Sequence, residues 1–181
     1  MRSLALKLSV LAVASAGAAS LVGASSAAAA ETEATCATNS GVATLSPGIN
    51  ESAKTQNVTL KGTLGECTCE AGSSAKYVIH VKTSAPVTCA SLAAEGLVAE
   101  GTSILKWGHG AGNSLGTATL SGSPTSGFSL TGSIAEGPYA GLSIADTLSG
   151  TSVFSGKGEP CTKSGKLKKI EMSGTTPTTI S

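Results

Sequence analysis

Phe128-Ser129-Leu130-Thr131-Gly132-Ser133-Ile134 alternates apolar or small residues with hydroxyls. A period of two places one face of a β-strand in a core and the other in water. Leu142, Ile144 and Leu148 continue the alternation downstream, broken at Asp146, and Trp107, the only tryptophan, closes the strand upstream. Working outward, the same signal marks 42–45, 58–64, 77–81, 104–107, 117–120, 151–154 and 166–172, with glycine-rich turns or Ser46-Pro47-Gly48 between them. Ser91 to Glu100 is ambiguous: Leu92-Ala93-Ala94-Glu95 fits a helical turn, which Gly96 and Gly101 keep short. About nine short strands at near-regular spacing predict an all-β chain, an antiparallel sandwich or a small barrel. Our expectation is the β-sandwich, Ig-like or jelly-roll-like. Leu60, Ile79, Val81, Trp107, Leu120, Phe128, Leu130, Ile134, Leu142 and Ile144 are its predicted core.

Arg2 and Lys7 flank the start of the chain, an apolar run follows from Leu8 to Val22, and small residues end in Ala27-Ala28-Ala29-Ala30. This order predicts a secretory signal peptide over residues 1–30, cut before Glu31, and hence an extracellular protein. As an uncleaved anchor the run is poor, being rich in Ala, Ser and Gly with no basic stop signal after it. Glu33-Ala34-Thr35 before Cys36 does not fit a lipoprotein attachment site. Residues 31–174 then form one β-sandwich domain, and the Thr-rich segment 175–181 is expected to be a flexible tail.

Past residue 30, ten lysines face eleven acidic residues, so no strong electrostatic pull on nucleic acid is expected, nor any membrane span after cleavage. Only five aromatics remain to fill the core, and covalent staples would help it. All five cysteines lie after the cut, where disulfides are the default, and the odd count leaves one thiol over. Cys67-Thr68-Cys69 lacks C-x-x-C spacing, and His80 and His109 form no zinc-ligand pair.

Signals for chemistry are sparse. Asp146 is the only aspartate, and a Ser-His-Asp set would have to join it to His80 or His109; no G-x-S-x-G elbow is present. No catalytic residue, cofactor or metal is therefore assigned. Trp107 and His109, in Trp107-Gly108-His109-Gly110-Ala111-Gly112, are a candidate binding surface, against a plainer reading as a core tryptophan before a hairpin. Lys166, Lys168 and Lys169, with Lys163, are candidates for contact with an anionic cell-wall polymer; the plainer reading is an edge strand guarded against aggregation.

Ser46-Pro47-Gly48-Ile49, Gly62-Thr63-Leu64-Gly65-Glu66-Cys67, Trp107 at a strand end and Gly137-Pro138-Tyr139-Ala140-Gly141 together resemble a group of small exported actinobacterial proteins of unassigned function. The resemblance spans nearly all of residues 36–174; Cys69 and the turn from Gly108 to Ser114 depart from it. It implies an extracellular, disulfide-bonded β-sandwich without catalytic residues, with Cys36, Cys67, Cys89 and Cys161 at the positions of the group's four cysteines. Cys67 ends one strand and Cys89 lies beyond the next, so a bridge between them would close a local loop of about twenty residues. Were the first and last strands parallel neighbours, Cys36 would bridge Cys161, leaving Cys69 as the free thiol, although Cys69 shares a strand face with Cys67 and could take its place. The leading functional expectation is a non-enzymatic extracellular protein, structural, adhesive or envelope-associated, with a wall polymer or another extracellular protein as partner. A protease inhibitor presenting a loop anchored by Cys67 and Cys89 is the alternative, and a hydrolase comes third.

Overall fold

The computed structural model describes residues 33–155 and 161–181; the signal-peptide reading of residues 1–30 lies outside them. The strands are β1 (Ala34–Ile49), β2 (Asn57–Thr68), β3 (Ser74–Thr83), β4 (Leu97–Trp107), β5 (Asn113–Ser123), β6 (Gly127–Glu136), β7 (Ser143–Ser155), β8 (Lys166–Gly174) and β9 (Thr178–Ile180), with one helix, α1 (Cys89–Ala94), between β3 and β4. The segments predicted at 142–148 and 151–154 are one strand, β7.

Each strand from β1 to β8 pairs antiparallel with the next, and β8 returns to β1 with Ser40 opposite Ser173 and Thr44 opposite Lys169. The sheet therefore closes on itself as an eight-stranded up-and-down barrel. The all-β, antiparallel expectation holds, but the sandwich is corrected: one sheet encloses the core where two facing sheets were expected. Alternating strands satisfy either architecture, and the length of β1 separates them. Its sixteen residues take β2 along one side, and β8 followed by β9 along the other.

Strand β9 fills the remaining seam, with Ile180 opposite Ala34 of β1 and Ile144 of β7. The tail expected to be flexible over 175–181 is corrected accordingly. Thr178 and Ile180 are each 1% exposed, two inward positions spaced two apart in a segment whose threonines suggested fraying.

All the predicted core residues are buried except Leu142, which is partly so. Two aromatics fill space left by glycines. Gly41 and Gly62 face each other across β1 and β2, and a Cβ on either would strike the Tyr77 hydroxyl. Phe128 lies over Gly150 in the same way, and its own exposure is 1%. Glycine within a strand admits the cross-strand ring that packs a tightly curved wall.

The barrel has two distinct ends. At one, Thr88 caps α1 by exchanging hydrogen bonds with Ser91, and Leu92 is buried against the core. At the other lie Glu33, the loops 69–73, 108–112 and 137–142, and Ser181. A disulfide ties each end: Cys36–Cys67 at the loop end and Cys89–Cys161 at the helix end. The expected pairing of Cys36 with Cys161 and Cys67 with Cys89 is corrected. β1 and β8 run antiparallel, which carries Cys36 and Cys161 to opposite ends, while Cys36 sits directly opposite Cys67. Cys69 carries a free thiol.

Candidate functional site

Asp146 does not break the alternation of β7. It continues the inward phase of Ile144 and Leu148 and is 5% exposed inside the barrel. Strands β1, β3, β7 and β9 bring four polar side chains together there. The Tyr77 hydroxyl donates to Asn39 Oδ1 at 2.8 Å, Asn39 Nδ2 donates to Asp146 Oδ2, and Thr178 Oγ1 donates to the same oxygen at 2.7 Å. Asp146 Oδ1 has no hydrogen-bond partner among the described residues. Burial pushes the Asp146 carboxyl above the usual carboxylate range, opposed by Thr178, Asn39 and the Thr147 amide. Burial, and after it the Asp146 carboxylate, raises Tyr77 as well, against the bond to Asn39.

The space beside this cluster, between Leu64, Ile79, Leu105, Leu130 and Ile144, amounts to about 10 Å³. That is the scale of one water, far below the roughly 300 Å³ at which organic-ligand pockets begin. Beside this cluster the described residues form a packed core with a polar relay in it, too tight for an organic substrate.

Linkage gives the relay a testable consequence. The folded state holds the Asp146 proton more tightly than the unfolded chain does. Its contribution is therefore fully present below the unfolded carboxylate pKa and is lost as pH rises through the raised folded value. Asp146→Asn removes the ionisation and keeps an oxygen to accept from Asn39 and Thr178. Urea midpoints should show the variant gaining on the natural protein as pH rises above the ordinary aspartate value of about 4. Parallel pH profiles for the two would contradict this account of the cluster.

At the loop end, Trp107 is a pillar. It is 6% exposed, its Nε1 donates to Ser114 Oγ at 2.8 Å, and Ser114 Oγ donates to the Pro138 carbonyl at 2.5 Å. Tyr139 meets it edge-on, with ring centroids 5.3 Å apart, and the Tyr139 hydroxyl accepts from the Ala71 amide at 3.2 Å. Trp107 is thus core, as the plainer reading had it, and not an exposed binding surface; its indole N–H has a partner there. His109 remains exposed in the adjoining loop. Beside these loops lies an open depression of about 630 Å³, edged by Glu33, Glu70, Pro138 and Tyr139.

Lys168 and Lys169 are exposed and Lys166 half-buried on β8, whose first residues lie at the helix end, away from Trp107 and His109. The candidate binding residues therefore do not form one site. The plainer reading of these lysines is corrected too: β8 is paired on both sides, to β1 and β7, so it is no edge strand. His80 lies on the outer wall, its Nδ1 3.3 Å from Thr59 Oγ1, while Asp146 points inward, so no Ser-His-Asp set is assembled from them. The inhibitor reading loses its anchor, because Cys67 and Cys89 are bridged to other partners.

Reading the sequence for chemistry missed Asn39, Tyr77 and Thr178 altogether and took Asp146 for a break in the alternation. The available signal was the phase of residues 144, 146 and 148. Comparison with protein-family models, curated proteins and solved structures finds no match to this chain.

Proposed function

We propose that this is an exported, non-enzymatic extracellular protein that works through its outer surface at or near the cell envelope. The observation that carries the reading is a barrel tied by a disulfide at each end, with a cavity of only about 10 Å³ beside its buried polar cluster. Two disulfides suit an oxidising compartment, and a filled interior leaves recognition to the walls and loops. The outward residues of β2, β3 and β6 include Thr59, Lys61, Thr63, Lys76, His80 and Thr131, a polar wall made for water. The lone aspartate serves the core, away from both histidines.

Fractionating the producing culture tests the proposal. The protein should be found in the medium or the wall fraction with its N-terminus at or near Glu31, since Ala28 and Ala30 supply the small residues that signal peptidase requires. Recovery in the cytoplasm with Met1 intact would refute it.

A further inference from the structure

Barrel closure sorts the charges in a way the chain's overall balance conceals. Past residue 30 acids slightly outnumber lysines, yet five adjoining strands, β8, β1, β2, β3 and β4, carry the exposed Lys61, Lys76, Lys82, Lys106, Lys168 and Lys169. Only Glu66, Glu100 and Glu171 oppose them there. The other three strands, β5 to β7, hold no lysine, and their outward positions are mostly serine and threonine, with Glu136 the single exposed charge. Most remaining described acids, among them Glu33, Glu51, Glu70 and Glu95, sit at the barrel ends.

On the β3–β4 side of the basic half, near the loop end, Lys76 of β3 stands directly opposite Lys106 of β4. Like charges so placed repel, and neither has an acid across from it: Lys76 is flanked by Thr63 and Lys106 by Asn113. Lys61 lies diagonally from Lys76, two residues off its register partner Val78. Lys82, in contrast, faces Glu100.

We infer that this half of the barrel wall, with Lys61, Lys76 and Lys106 gathered on its β2–β4 side, is a docking surface for a linear phosphodiester polymer of the cell envelope. Charge complementarity selects a polyanion. The cations are all lysines, compact point charges that bind phosphate without needing the fixed bidentate geometry of an arginine fork. No aromatic is exposed on these strands, since Tyr77 and Trp107 are buried, so there is no platform on which nucleobases could stack. The inference rests on the exported reading for its partner's location. The two fail separately: a cytoplasmic protein that still binds the polymer would defeat that reading alone.

The test is retention of the purified, disulfide-intact protein on immobilised poly(glycerol phosphate), followed across a salt gradient. Lys76→Gln/Lys106→Gln should weaken binding about tenfold and flatten the salt dependence by roughly two counterions. Ser129→Glu/Ser143→Glu, on the neutral wall, changes net charge by the same amount and should leave binding within about twofold, the effect expected of distant, screened charges. Circular dichroism confirms the fold of both. Equal weakening by the two pairs, no retention at low salt, or retention only by polygalacturonate or phosphatidylglycerol vesicles would each overturn the inference.

Discussion

Replacing Cys89 and Cys161 together by serine should lower the unfolding free energy by about 4 kcal/mol, the chain-entropy value for a loop of this length. The bridge joins residues 72 apart, against 31 for Cys36–Cys67. It also tethers α1, whose six residues are too few to persist as a helix without tertiary support. Releasing it frees both the helix and the segment leading into β8. Cys36→Ser/Cys67→Ser should cost less, by several tenths of a kcal/mol on the same scale, and β1–β2 pairing on both sides of it softens the loss further. Urea denaturation of both variants in a Cys69→Ser background, which prevents exchange with the free thiol, measures the difference. A larger loss at Cys36–Cys67 would show that the helix end is held by packing alone.

Phe128→Ala should cost about 3–5 kcal/mol, the range for removing a fully buried phenyl. Phe128 fills the barrel over Gly150, where an added Cβ would come within 2.6 Å of the ring and 2.9 Å of Ile170. Gly150→Ala alone should therefore destabilise by overpacking, by about 1–3 kcal/mol. The two changes should couple: with the ring gone, the methyl at position 150 enters space already open, so Gly150→Ala costs markedly less on the Phe128→Ala background. Additive losses in a double-mutant cycle would mean that the ring and the glycine are independent.

Alternation identified the strands and nearly all of the core because burial on one face is a local property, written every second residue from Leu60 to Ile144. Closure is not local. It depends on Ser40 meeting Ser173, and neither residue carries a mark of its partner. The sequence clues lay in the glycines within strands, Gly41, Gly62 and Gly150, where a neighbour's ring needs the room. The Cys36–Cys161 pairing failed for the same reason, since it followed from a relative direction of β1 and β8 that no short stretch specifies. Cys67–Cys89 failed because proximity in sequence does not override the register that sets Cys67 opposite Cys36. Asp146, Asn39 and Thr178 escaped because a polar residue in an alternating strand is ordinarily assigned to solvent. An inward polar position is visible only once other strands supply its partners. The basic wall was half legible: the lysines on β8 stood out as a run in sequence, whereas Lys61, Lys76 and Lys106 come together only through strand pairing.

The seam filled by β8 and β9 bears on how the molecule is made. β1 emerges first, yet one of its sides stays unpaired until residues 166–180 arrive, more than a hundred positions later. Contacts of such long range make folding slow. Until those residues arrive the barrel stays open along one seam. Closure is thus ordered by topology: the first strand waits, paired on one side, for the last two.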